Sequence, residues 1–183
     1  MLKYIPNLLS IFRIILVPFF PIAYFSQSPN NHLIALTIFV IAGVTDFLDG
    51  YIARRFELTT RLGAVLDPIA DKTMLLTAII TLYIGGALPL VIPIIVVGKE
   101  LLMVYGGMFV YFKRKKTVIP ANKVGKGATI LYTVAVFVTI LAPMSLASIL
   151  LLSSAVLLKI SAMVVYLVGY YKTIKPMTVD KDL

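Results

Sequence analysis

Six long runs of apolar residues, separated by short polar connections, set the pattern of this chain. A helix needs about 20 such residues to cross a bilayer, and a segment within lipid must pair all of its own backbone groups. Runs of this length therefore predict helices rather than strands. We expect an all-α polytopic membrane protein, folded as a single domain over residues 1–183, with six transmembrane helices. The predicted spans are Asn7–Phe25, Leu33–Ala53, Gly63–Tyr83, Leu88–Phe112, Val124–Pro143 and Ala147–Tyr171.

Composition points to the same environment. The chain is 60% hydrophobic and 14% charged, with a mean hydropathy of +1.00, which is too apolar for a soluble domain of this length. Its net charge of +9 suits contact with anionic membrane lipids. Most basic residues flank apolar spans, so we expect no nucleic-acid partner. The lack of cysteine excludes disulfides and thiolate nucleophiles. No cleavable signal peptide is expected, because the first apolar stretch contains Pro6, Asn7 and Arg13.

Basic residues alternate along the predicted spans. The connections 26–32, 85–87 and 144–146 contain neither lysine nor arginine. The other connections and the terminal segments contain Lys3, Arg54, Arg55, Arg61, Lys113, Arg114, Lys115, Lys116, Lys123, Lys172, Lys175 and Lys181. Because positively charged loops remain in the cytoplasm, both termini are expected to be cytoplasmic. The pattern predicts a multi-pass protein of the inner membrane.

Four of the eight acidic residues meet at one end of a predicted helical hairpin. Asp46 and Asp49 close the second span, and Asp67 and Asp71 lie in the first turns of the third. Spacings of three and four residues put each pair on one helix face. Such a cluster is costly in a membrane unless counter-charges are present. Arginines would serve, or the carboxylates are solvated at helix ends, but two divalent cations with oxygen ligands fit better.

The same segment carries a motif with fixed spacing. It reads Asp46-Phe-Leu-Asp49-Gly50-Tyr-Ile-Ala53-Arg54, then eight residues, then Gly63-Ala-Val-Leu-Asp67-Pro-Ile-Ala-Asp71. This resembles the signature of the CDP-alcohol phosphotransferase family, D-x2-D-G-x2-A-R-x8-G-x3-D-x3-D, at all eight fixed positions. The resemblance implies transfer of a substituted phosphate from a CDP-linked donor to an alcohol, with release of CMP. It also implies a homodimer.

The resemblance further assigns roles to the motif. Asp46, Asp49 and Asp67 would bind two divalent cations, Mg²⁺ or Mn²⁺, while Asp71 would contact one metal and act as the general base. The implied contacts to cytidine and diphosphate are Gly50, Ala53, Arg54 and Gly63. For Arg54, an anchor at the membrane surface is the alternative.

A polar segment in the first span resembles the part of the family that lies near the nucleotide. Asn7, Ser10 and Arg13 recur every three residues, roughly along one helix face. The resemblance makes them candidate CDP contacts. Alternatively, Asn7 caps a helix and Arg13 extends along the helix to the membrane surface.

Other charges inside predicted spans are candidates for acceptor binding. Lys99 and Glu100 lie in the fourth span and Lys159 in the sixth, where buried charges are often functional. A Lys99–Glu100 or Lys159–Glu100 ion pair that fixes helix packing is the alternative. Lys126 and Thr129 belong to a stretch that resembles the Gly-Lys-x-Lys-Thr of bacterial phosphatidylglycerophosphate synthases.

This second resemblance implies CDP-diacylglycerol as donor and glycerol 3-phosphate as acceptor. Ala128, however, replaces the second lysine of that stretch. A cardiolipin synthase of the same family, with phosphatidylglycerol as acceptor, therefore remains an alternative. A membrane cation transporter is the alternative from another class, although its site would be expected near the bilayer midplane.

Overall fold

Six α-helices form the regular structure of this computed structural model, which describes residues 5–56, 63–113 and 123–174. They are α1 (Ile5–Tyr24), α2 (Asn31–Arg55), α3 (Gly63–Ile84), α4 (Val91–Lys113), α5 (Lys123–Leu141) and α6 (Leu146–Ile174). The described residues contain no strand. The all-α class and each of the six helices predicted from the apolar runs are therefore confirmed, with ends that differ by a few residues.

Two of the differences at helix ends arise at prolines. The fourth helix begins at Val91 rather than Leu88. The Pro89 carbonyl oxygen accepts a hydrogen bond from the Ile92 amide at 3.2 Å, in the turn that precedes the helix. The fifth ends at Leu141, two residues before Pro143, which has no amide proton to continue a helix. Met144 then takes a left-handed conformation, with φ of 56°.

Three stretches within the described helices are long and apolar enough to cross a membrane. They are Pro6–Tyr24, Asn31–Ala53 and Leu146–Val165. Large apolar side chains such as Ile22, Phe47 and Leu157 are exposed on the bundle, although water would be a poor solvent for them. Lipid is the environment that suits such a surface, and the chain is a membrane protein.

Helix packing determines which side chains meet. Helix α1 packs against α2 and α3, α5 packs against α6, and α2 and α3 both contact α5. Fully buried residues fill the centre of this arrangement, including Phe20, Ile79, Tyr132 and Leu152. Buried alanines such as Ala42 and Ala70 allow close approach beside the acidic residues. Helix α4 lies at the edge, against α3 and α6.

Candidate active site

A cavity of about 260 Å³ opens where α1, α2, α3 and α5 meet. Helix α2 continues past the apolar run to Arg55, so Asp46 and Asp49 stand on its last turns. Helix α3 begins at Gly63 and carries Asp71 on its third turn. The cavity is lined by Arg13, Phe39, Ala42, Gly43, Asp46, Asp71, Met74, Leu75, Thr129, Ile130, Thr133 and Val134. One aspartate from each half of the motif thus faces a common space.

The cavity is charged at one end and apolar along its walls. Asp46 lies seven residues beyond Phe39 on α2, a distance of roughly 10 Å along a helix. On α3, Leu75 lies one helical turn beyond Asp71, and on α5 Val134 lies five residues beyond Thr129. All three helices thus contribute apolar side chains to the cavity wall. Such a space suits a molecule with a charged head and an apolar tail.

Arg13 lies between the two carboxylates at the end of α2. Its Nη1 atom is 2.6 Å from Asp46 Oδ1, and its Nη2 atom donates a hydrogen bond to Asp49 Oδ2. The Arg13 side chain is 1% exposed and that of Asp49 is 3% exposed, whereas Asp46 is 45% exposed. The guanidinium therefore neutralises a buried carboxylate and does not extend to the membrane surface. One end of the acidic cluster is held by an arginine from a different helix.

The remaining polar residues of α1 join the same cluster. Asn7 and Ser10 are buried, and the Ser10 hydroxyl lies 3.1 Å from the Pro6 carbonyl oxygen and 3.4 Å from Asp49 Oδ2. The three-residue spacing of Asn7, Ser10 and Arg13 therefore corresponds to one buried face of α1. That face points towards α2 rather than towards lipid.

The residues present fit a divalent cation in their chemistry. Carboxylate oxygens are the ligands that Mg²⁺ and Mn²⁺ prefer. The Arg13 guanidinium contacts one oxygen of each of the Asp46 and Asp49 carboxylates. Among the side chains that the structure describes, no three acidic or imidazole groups lie close enough to hold a metal. The Asp67 side chain, predicted as a ligand, lies outside the described residues.

The predicted nucleotide contacts flank this acidic cluster. Gly50 and Ala53 are partly buried on the last turns of α2, and Gly63 is buried at the start of α3. These three residues lie on the helix ends that carry the aspartates. The Arg54 side chain is outside the described residues.

Three lysines and a glutamate form a second charged cluster near Asp71. Lys99 Nζ lies 2.7 Å from Glu100 Oε1, and Lys72 Nζ lies 3.3 Å from Glu100 Oε2. Lys159 instead places its ammonium 3.9 Å from the centre of the Tyr132 ring. The electrostatic interactions of Asp71 include those with Lys159 and Glu100. Of the two ion pairs considered from sequence, the Lys99–Glu100 pair is present.

Neither Lys72 nor Tyr132 was predicted from the sequence as a member of this cluster. Lys72 directly follows Asp71, and this position beside the motif is the sequence feature that could have indicated it. Of the other predicted acceptor residues, Thr129 lines the cavity and its hydroxyl donates to the Gly125 carbonyl at 3.1 Å. The Lys126 side chain lies outside the described residues.

Comparison with known proteins identifies relatives of the chain. A family model described as CDP-alcohol phosphatidyltransferase matches residues 3–168. Three relatives carry the name CDP-diacylglycerol--glycerol-3-phosphate 3-phosphatidyltransferase. That of Haemophilus influenzae is 54% identical over 76 residues, which are 42% of this chain and 41% of the relative. That of Pseudomonas fluorescens is 39% identical over 101 residues, covering 54% and 52%. That of Rickettsia bellii is 32% identical over 137 residues, or 75% of each chain.

The family model matches more of the chain than these relatives do. The chain spans about two fifths of the length of the Haemophilus influenzae relative. The family model instead covers nearly the whole chain, and it includes all eight fixed positions of the motif. On this evidence, and in agreement with the motif, the chain belongs to the CDP-alcohol phosphatidyltransferase family.

Proposed function

We propose that this protein transfers the phosphatidyl group of CDP-diacylglycerol to glycerol 3-phosphate, forming phosphatidylglycerophosphate and releasing CMP. The observation that carries the proposal is the cavity that combines Asp46, Asp71 and Arg13 with apolar walls. Its charged end suits a nucleotide diphosphate, and its walls suit the acyl chains of a lipid. The names of the relatives support this choice of donor and acceptor.

The donor diphosphate carries negative charge that must be neutralised. Asp46, Asp49, Asp67 and Asp71 would hold two divalent cations, which would neutralise the diphosphate and stabilise charge in the transition state. The Arg13 guanidinium would contact the diphosphate, with Asn7 and Ser10 on the same face of α1. Gly50, Ala53, Arg54 and Gly63 are the proposed contacts for the rest of the nucleotide.

Asp71 is the proposed general base. Its carboxylate accepts the proton of the acceptor hydroxyl, and the hydroxyl oxygen attacks the phosphorus of the phosphatidyl group. The bond from that phosphorus to the oxygen bridging the two phosphates breaks, and CMP leaves with the electron pair. Asp71 is suited to this role because it lines the cavity beside Asp46 and also neighbours the lysine cluster.

The acceptor is assigned from the charge around Asp71. Glycerol 3-phosphate carries about two negative charges, and Lys99, Lys126 and Lys159 are the proposed cationic partners, with Thr129 at the cavity wall. Phosphatidylglycerol remains the second candidate acceptor, because Ala128 stands where a second lysine is expected in the basic stretch. Cardiolipin would then be the product.

The proposed setting is the inner membrane. The chain would cross it six times with both termini in the cytoplasm, as the distribution of basic residues predicts. The acidic cluster then faces the cytoplasm, where a soluble acceptor can reach it. A homodimer embedded among membrane lipids is the proposed assembly.

Identification of the lipid product tests the proposal. Purified protein would receive CDP-diacylglycerol labelled in the acyl chains, Mg²⁺ and one acceptor at a time. We expect phosphatidylglycerophosphate with glycerol 3-phosphate and no cardiolipin with phosphatidylglycerol. An Asp71→Asn protein controls for contaminating activity. Cardiolipin as the sole product would overturn the acceptor, and the absence of any transfer would overturn the function.

A further inference from the structure

Glu100 connects two lysines from different helices. Lys99 precedes it on α4, while Lys72 approaches from α3, and both ammonium groups lie within ion-pair distance of its carboxylate. The side chains of Lys99 and Glu100 are 10% and 14% exposed, so this part of the cluster is shielded from solvent. Each of the two Glu100 carboxylate oxygens forms an ion pair with one lysine. The arrangement fixes the distance between two positive charges that would otherwise repel.

Lys72 is more exposed than Glu100 and Lys99. Its side chain is 41% exposed, so its ammonium can reach a ligand while it remains paired with Glu100. It directly follows Asp71 in sequence, on the helix that carries the proposed base. Glu100, the partner of Lys72, interacts electrostatically with Asp71, so a phosphate held by Lys72 would lie in the same charged region as the proposed base.

Lys159 completes the cluster from α6. Its ammonium rests on the ring of Tyr132, a fully buried residue of α5, at 3.9 Å from the ring centre. A cation over an aromatic face is held without a carboxylate. Lys159 also interacts electrostatically with Lys99, Lys72 and Glu100. Three ammonium groups and one carboxylate give this cluster a net charge of +2, which matches a phosphate dianion.

We infer that Lys72 binds the phosphate of the acceptor and that Glu100 is the positioning residue that holds Lys72 and Lys99 at the spacing this phosphate requires. The inference rests on the proposed function, in which the acceptor is a small phosphorylated alcohol. It adds a binding residue from α3 and gives Glu100 a role despite its negative charge. A cluster that only fixes α4 against α3 is the alternative, and it predicts different kinetics.

Substitution of Lys72 separates binding from packing. Lys72→Met should raise KM for glycerol 3-phosphate on the order of tenfold to a hundredfold, because a charge-assisted hydrogen bond is lost. KM for CDP-diacylglycerol and thermal stability should change little, and Lys72→Arg should restore most of the affinity. Lys113→Met, at the end of the same α4 helix that carries Lys99, is the matched control and should leave both KM values unchanged.

Substitution of Glu100 gives the sharper result. If its charge merely opposes anion binding, Glu100→Gln should lower KM for glycerol 3-phosphate, since the cluster becomes more positive. If it positions the lysines, the same change should raise that KM several-fold, because the ammonium groups separate. Inorganic phosphate, tested as a competitive inhibitor, should lose potency in Glu100→Gln and Lys72→Met to a similar extent.

The outcomes distinguish this inference from the proposed function. If the unmodified protein does not use glycerol 3-phosphate, the proposed function fails, and the assignment of Lys72 fails with it. If the unmodified protein uses it but Lys72→Met leaves its KM unchanged, only the inference is overturned. A lower acceptor KM in Glu100→Gln, or equal losses for donor and acceptor, would overturn the positioning role.

Discussion

Arg13→Gln is the substitution most directly linked to the geometry of the acidic cluster. The change removes the positive charge that lies between Asp46 and Asp49 but retains a side chain of comparable polarity. Asp46 is 45% exposed, so water screens its carboxylate and its pair with Arg13 contributes at most about 1 kcal/mol. Asp49 is 3% exposed, and the substitution removes the cationic partner of this buried carboxylate. Breaking a buried pair in this way costs about 3–5 kcal/mol.

The assay is unfolding of purified protein in detergent micelles, with a chelator present or with excess Mg²⁺. In chelator, Arg13→Gln should lower the free energy of unfolding by about 3–5 kcal/mol. Mg²⁺ should recover part of that loss, since a cation that binds the folded carboxylates stabilises the folded state. Arg55→Gln is the matched control, because Arg55 is exposed at the end of α2, and it should change stability by less than about 0.5 kcal/mol.

A double substitution tests whether the buried pair is the cause. Adding Asp49→Asn to Arg13→Gln removes the negative charge that Arg13 neutralises, so the double variant should be more stable than the sum of the two single losses predicts. Strict additivity would show that the two residues do not interact. A loss in Arg13→Gln no larger than that in Arg55→Gln would refute the reasoning.

Two further predictions concern the base and the topology. Asp71→Asn should retain donor binding better than Asp46→Asn while losing turnover as severely, because only Asp71 takes the hydroxyl proton. Equilibrium binding of the donor, measured together with turnover, tests this prediction. Equal losses of donor affinity in the two variants would contradict it. Single cysteines in the connections without basic residues should be labelled from outside the cell, whereas a cysteine in the lysine-rich connection should not. The reverse labelling pattern would contradict the predicted topology. The positions are Ser28 and Ser145 outside and Thr117 inside.

The helices were predictable because length and apolar content decide them locally. A run near 20 apolar residues has few alternatives in a membrane, and prolines such as Pro143 set the ends within a few residues. The extension of the second helix through Asp46 and Asp49 followed from the same length requirement. These features depend on residues close in sequence.

The charged partners were harder to predict because they depend on which helix faces which. Arg13 and Asp49 are 36 residues apart, and periodicity shows that each lies on a polar face without showing that the faces meet. Lys72 was overlooked for the same reason, since its partner Glu100 lies on a helix packed at the edge of the bundle. Lys159 pairs with an aromatic ring, which charge patterns do not reveal.

The fate of a labelled phosphorus tests the central claim most directly. Donor labelled in the phosphatidyl phosphate would be mixed with glycerol 3-phosphate, purified protein and Mg²⁺. We expect all transferred label to appear in phosphatidylglycerophosphate, with one unlabelled CMP formed for each lipid product, and we expect a chelator to stop both. Label in the released nucleotide, CMP release without a lipid product, or full turnover in excess chelator would contradict it.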